Sequence, residues 1–260
     1  MRLRRMVAAC LGAAMALTGV LASTAQAQTN GPLDYVALGD SYSSGVGAPN
    51  TTGTCFRSPQ GYPKLWADSH NVSSFTDVTC GGAVTTDVIE KQVSALNAGT
   101  DLVTVTIGGN DAGFASTLLI CTFGTTSTCK RTVEEGLRDN TLAGKLDRAY
   151  AAIRAAAPNA RVIVLGYPRL YEDTLLCTTM SRDKRRILND GADQLTALIR
   201  GRAVAAGFEF LDVRPFFAGH GVCASDEWIN SSLLAGIGVY HPNAKGYRNG
   251  YLVALNSVTG

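Results

Sequence analysis

Four short blocks of this chain carry residue types suited to acyl transfer. Ser41, in Gly39-Asp40-Ser41, follows the apolar run Tyr35-Val36-Ala37-Leu38. A serine just past a buried strand, with Gly39 allowing a tight turn, presents its hydroxyl at a sheet rim. Asn110, in Gly108-Gly109-Asn110-Asp111 after the run Leu102–Ile107, offers an amide donor of the kind that stabilises an oxyanion. Asp111 reads as a helix cap. Gly82, in Cys80-Gly81-Gly82-Ala83, offers a bare backbone N–H. A serine hydroxyl is a poor nucleophile until a neighbour takes its proton, so a base is required. The chain has three histidines. His70 reads as a solvated helix end and His220 as loop packing beside Cys223. His241 precedes Pro242, a residue suited to the first turn of a last helix, and is placed to lean over the sheet edge.

The elements that must position these blocks alternate. Short runs at Tyr35–Leu38, Phe75–Thr79, Leu102–Ile107, Val162–Leu165 and Phe208–Val213 are rich in Val, Ile, Phe and Tyr and read as buried strands. Helical stretches lie between them at Val84–Leu96, Leu142–Ala156 and Ser181–Ala206. Strands separated by helices imply right-handed crossovers and a parallel sheet covered on both faces. Ligands in such folds bind at the carboxyl ends of the strands, where the four blocks fall. The apolar residues Phe114, Leu118, Leu119, Ile120 and Phe123, after the Gly-Gly-Asn-Asp block, suit either a core or an acyl-binding wall.

Composition narrows the class. With 46% hydrophobic and 17% charged residues, 260 residues describe one ordinary domain. Arg2, Arg4 and Arg5, the apolar run Met6–Leu21 and Ala25-Gln26-Ala27 together match a secretory signal over residues 1–27, which leaves a single domain over 28–260 and a secreted product. Removing those three arginines from the 23 basic residues leaves 20 against 21 acidic ones, a net of −1. Bulk charge therefore gives no reason to expect a nucleic-acid partner. Beyond the signal six cysteines remain: Cys55, Cys80, Cys121, Cys129, Cys177 and Cys223. An even count in an exported chain predicts three disulfides, of which sequential pairing is the simplest of many connectivities. Without a C-x-x-C pair, no metal site is expected.

With Gly39-Asp40-Ser41, Gly82, Gly108-Gly109-Asn110-Asp111 and His241-Pro242 in this order, the chain resembles the SGNH (GDSL) hydrolase superfamily, in particular its secreted actinobacterial lipases and esterases. The resemblance implies a flavodoxin-like three-layer α/β/α sandwich with a five-stranded parallel sheet of order 2-1-3-4-5. It implies Ser41 as acyl nucleophile, His241 as general base and acid, and an oxyanion hole of the Ser41 and Gly82 N–H groups and the Asn110 amide. The expected activity is hydrolysis of lipid-type acyl esters by a secreted monomer, without cofactor and with transient contact to a lipid interface. The alternatives are a carbohydrate O-acetyl esterase and a non-catalytic binding domain. One position departs from the pattern. The family usually has Asp three residues before the histidine, and this chain has Gly238. The expected substitute is a main-chain carbonyl, from Gly238 or Val239, with Asp226 and Glu227 the nearest carboxylates that could serve instead.

Overall fold

The chain is described by a computed structural model over residues 31–138 and 141–260. The expected signal segment lies outside the described residues. Five strands, β1 (Leu33–Gly39), β2 (Val72–Asp77), β3 (Leu102–Thr106), β4 (Arg161–Leu165) and β5 (Glu209–Leu211), form one sheet of order β2-β1-β3-β4-β5. Every pairing is parallel. β3 is buried along its whole length and β1 from Tyr35 on, which explains why these stretches carry no charged residue: a strand covered on both faces has no solvent side, and the two buried threonines of β3 face tyrosine hydroxyls, Thr104 that of Tyr35 and Thr106 that of Tyr62. The edge strand β2, by contrast, mixes half-buried and exposed positions.

The helices are α1 (Ser41–Ser44), α2 (Tyr62–Ser69), α3 (Thr85–Asp87), α4 (Phe114–Phe123), α5 (Thr126–Leu137), α6 (Thr141–Ala156), α7 (Arg182–Ala205) and α8 (Leu252–Thr259). On one face α2 packs with α8 and the π-turn before it, Gly246–Tyr251. Trp66 meets Tyr35 edge-on with ring centres 5.1 Å apart, and Tyr62 stacks on Tyr251 at 5.2 Å. The other face is covered by α3, α6 and α7, from which Leu146 and Ile199 close on Gly108.

The helix expected over Val84–Leu96 is broken. After α3 the chain makes a π-turn, Val88–Gln92, and a 3-10 turn, Val93–Ala95. The wider turn directs Gln92 inward, where its amide accepts from Gly39 N–H at 2.7 Å and donates to Gly39 O at 3.0 Å. A buried side chain thus gives the Gly39 N–H its acceptor at the end of β1 and adds a second donor to Gly39 O, which also accepts from Cys80 N–H. β2 stops at Asp77 rather than Thr79 because the Asp77 carboxylate accepts from both the N–H and the hydroxyl of Thr79 and turns the chain. Asp212 ends β5 in the same way through Arg214 N–H.

Three disulfides join cysteines in sequential order: Cys55–Cys80, Cys121–Cys129 and Cys177–Cys223. The first ties the loop before α2 to the loop after β2, the second joins α4 to α5, and the third links the loops that follow β4 and β5. Each is expected to contribute roughly 2–4 kcal/mol. Reductant should therefore lower the calorimetric unfolding midpoint of the native protein by at least about 10 °C. An unchanged midpoint, or six free thiols by mass spectrometry, would contradict this.

Candidate active site

β1 ends at Gly39 with φ of +121°, a conformation open to glycine; a Cβ there would stand 2.4 Å from Thr106 O. The chain then turns into α1. Asp40 caps this helix, its Oδ1 accepting from Tyr42 N–H at 2.9 Å, and Ser41 becomes the first helical residue. The Ser41 N–H, having no earlier turn to bond to, points out of the helix start without a partner among the described residues.

His241 arrives from the far end of the sequence. Its Nε2 lies 2.8 Å from Ser41 Oγ, and its Nδ1 lies 3.1 Å from Val239 O. A carbonyl only accepts, so Nδ1 carries the proton and the neutral ring leaves Nε2 as the acceptor for the serine hydroxyl. Burial pushes the imidazole pKa down to about 4, against a smaller upward pull from the Val239 carbonyl. Gly238 O is engaged elsewhere, accepting from His241 N–H and from Asn230 Nδ2. Asp226 binds Lys245 and Trp228, and Glu227 accepts from Cys223 N–H and the Ser231 hydroxyl, so neither carboxylate meets the histidine.

Asn230 was not singled out from the sequence, yet it holds this loop. Its N–H donates to His241 O, its carbonyl accepts from Tyr240 N–H, and its amide donates to Gly47 O and Gly238 O. Tyr42 adds a second clamp, with its hydroxyl on Tyr240 O at 2.7 Å and its ring 5.0 Å from the His241 ring. Pro242 does not open the last helix as expected. It bridges to Ile229, and Asn243 is the cap, its Oδ1 accepting from the N–H groups of Lys245 and Gly246.

Gly82 and Asn110 line the same pocket as Ser41 and His241. Gly82 has φ of +82° and its N–H takes no acceptor among the described residues. Asn110 donates one amide hydrogen to Ala83 O at 3.0 Å, which fixes the side chain and leaves the other hydrogen free for a ligand. Asp111 does not act as the expected helix cap. Its two oxygens accept from the N–H and hydroxyl of Thr85, stitching the β3 loop to the β2 loop. The pocket, of about 460 Å³, is otherwise walled mainly by apolar residues, among them Val46, Phe56, Phe114, Leu118 and Ile237. The segment after Asn110 thus divides its apolar side chains. Leu118 is 7% exposed and belongs to core and pocket alike, whereas Leu119 at 54% and Phe123 at 74% face outward. The remaining histidines are structural, with His70 stacked on Trp66 and His220 on Trp228. Among the described residues, no group of three or more His, Cys, Asp or Glu side chains gathers that could hold a metal ion.

The GDSL-like lipase/acylhydrolase family matches residues 37–248, and the chain belongs to that family. It is a carboxylic ester hydrolase. It is 47% identical to Lipase 1 of Streptomyces coelicolor over 95% of this chain and 94% of that one. A lipase of Streptomyces rimosus is 44% identical over the full length of both chains. Two crystal structures, of a phospholipase A1 from Streptomyces albidoflavus NA297 and of an extracellular lipase from Streptomyces rimosus, superpose with a TM-score of 0.83 at 45% identity. Each comparison spans 86% of this chain, and 98% and 99% respectively of those chains.

The departure at Gly238 has a steric cause. A Cβ there would stand 3.0 Å from the Gly47 Cα, a backbone neighbour with little room to retreat. Gly238→Asp should therefore give no gain in turnover and should destabilise the fold by about 1–3 kcal/mol, the usual cost of overpacking. Kinetics and thermal unfolding of that variant check both halves.

Proposed function

We propose that Ser41 is the acyl nucleophile and His241 its general base in a secreted hydrolase of lipid-type acyl esters. The observation that carries this reading is the unbroken line from Val239 O through the His241 ring to Ser41 Oγ, opening on an apolar pocket. Nε2 takes the hydroxyl proton as Oγ attacks the ester carbonyl, and the imidazolium returns it to the leaving alcohol. Water repeats the cycle on the acyl-enzyme, releasing the acid and restoring the serine. The free N–H groups of Ser41 and Gly82 and the Asn110 amide are the donors for the oxyanion that forms in each half.

A wall built from Phe56, Phe114, Leu118 and Ile237 suits an acyl chain better than an acetyl group, and the similarity to lipases and to a phospholipase A1 supports lipid esters. Contact with a lipid interface fits the rim. Leu119 and Ile237 are exposed at the pocket, Phe123 and Leu234 are exposed on the same two segments, and neither α4 nor residues 231–241 carry a charged side chain. Export is supported by the signal-like N-terminus and by similarity to an extracellular lipase. Among the described residues, no helix is long and apolar enough to cross a membrane.

Ser41→Ala and His241→Ala should each lower ester turnover by several orders of magnitude with folding intact, because they remove nucleophile and base rather than core volume. Asn110→Ala should lower kcat by about 10²–10³. Asp226→Asn and Glu227→Gln should keep most activity; a loss of about 10⁴ in either would reveal a carboxylate behind the histidine.

The base must be neutral to act, and its pKa lies below the ordinary 6.5. The limb of kcat/KM that belongs to the histidine should therefore lie toward pH 4 and not at 6.5. Asp40, pushed up to about 7 by burial, is the competing titration. The histidine limb is the one that persists in Asp40→Asn, and a persisting limb at 6.5 would mean a solvated imidazole.

A further inference from the structure

We propose that Tyr167 is a positioning residue for ester cleavage, its hydroxyl setting the placement of the oxyanion loop relative to the nucleophile turn. The inference rests on the roles given above to Ser41 and Asn110. Tyr167 follows β4, in Gly166-Tyr167-Pro168, and β4 supplies none of the four blocks read from the sequence.

The direction of the hydrogen bonds is fixed by chemistry. Gly109 N–H can only donate, and it does so to Tyr167 Oη at 2.9 Å. The single phenolic proton is then free for Asp40 Oδ2, 2.5 Å away. The other Asp40 oxygen accepts from Tyr42 N–H. The chain Gly109–Tyr167–Asp40–Tyr42 therefore begins one residue before Asn110 and ends one residue after Ser41.

Asp40 is 1% exposed and Tyr167 6%, so water has little access to replace a lost partner. Gly109 lets the ring come close, since a Cβ there would lie 3.1 Å from the Tyr167 ring and hydroxyl. Edge-on packing against Tyr42, with ring centres 5.1 Å apart, holds the phenol in place. On its other side the oxyanion loop is stitched to the β2 loop by Asn110 and Asp111. Without Tyr167 the remaining side-chain bonds of Gly109, Asn110 and Asp111 would all lie on the β2 side, leaving Asn110 free to drift from Ser41. A donor must meet the oxyanion at about 2.7–3.1 Å, so a small drift costs rate while ground-state binding is spared.

The test is a double-mutant cycle on the full mature enzyme with a soluble p-nitrophenyl ester, measuring kcat, KM and the thermal midpoint for Tyr167→Phe, Asn110→Ala and the pair. Tyr167→Phe keeps the ring and removes only the hydroxyl. It should lower kcat about 10- to 100-fold with KM nearly unchanged. In the Asn110→Ala background the same change should cost under about threefold, because no amide remains to be misplaced. Equal losses in both backgrounds, or an effect on KM alone, would overturn the inference while leaving the oxyanion assignment standing. A wild-type kcat in Asn110→Ala alone would overturn that assignment and the inference with it. Should Tyr167→Phe fail to fold, Asp40→Asn, which breaks the chain at its next member, enters the same cycle under the same criteria.

Discussion

The 2.8 Å contact between Ser41 and His241 joins residues 200 positions apart, and much of the molecule serves to close that gap. The serine is delivered by the most buried part of the sheet, on a turn that Gly39 permits and Gln92 pins. The histidine is delivered by a loop of little regular structure, so its rigidity has to come from hydrogen bonds. Asn230 and the Tyr42 hydroxyl supply them, and both reach across to segments distant in sequence or on the opposite side of the loop. Gly47 and Gly238 make the approach possible, because a side chain at either would push the histidine loop away from the nucleophile turn.

The four blocks were legible in the sequence because each sits at or just beyond a strand end or helix entrance, where punctuation by glycine, asparagine and proline is strong. The central strands were legible because full burial leaves runs rich in β-branched and apolar residues and free of charge. The irregular helix after β2 was not, since its pattern is helical and only the tertiary demand of Gly39 for a partner turns Gln92 inward. Asn230, Tyr42 and Tyr167 were not legible either. Each acts through a polar atom whose partner is set by the packing of other elements, and a lone tyrosine or asparagine in a sequence reads as ordinary core or turn. Tyr167 alone offered a clue, as a residue two positions beyond the predicted strand Val162–Leu165.

In the proposed mechanism the oxyanion donors and the base come from separate loops, and the structure ties these loops by different means. The β2 and β3 loops are joined by Asn110 to Ala83 and by Asp111 to Thr85. The Cys55–Cys80 disulfide braces the β2 loop from outside, with Gly81 N–H on Cys55 O at 2.9 Å. Among the described residues, the one buried carboxylate lining the pocket, Asp40, is spent on the Ser41 helix and Tyr167 rather than on the histidine. The negative charge that a triad would place behind the imidazole is thus used to organise the ground on which the serine and the oxyanion loop stand.

A carbonyl in place of a carboxylate alters the electrostatics of the reaction without disabling it. Burying an aspartate behind His241 would require desolvating a full charge and making room that Gly47 denies, whereas Val239 O is a main-chain acceptor already held by its loop. The dipole fixes the tautomer equally well but stabilises the imidazolium less, and burial disfavours that cation further, as the lowered pKa shows. In the proposed mechanism the imidazolium is nevertheless never alone, because it forms together with the oxyanion. Stabilising the anion stabilises the pair. A hydrolase that leaves its histidine with only a carbonyl must therefore draw more of its rate from well-placed oxyanion donors, and here the bonds of Asn110 to Ala83 and of Asp111 to Thr85 hold together the two loops that carry Asn110 and Gly82.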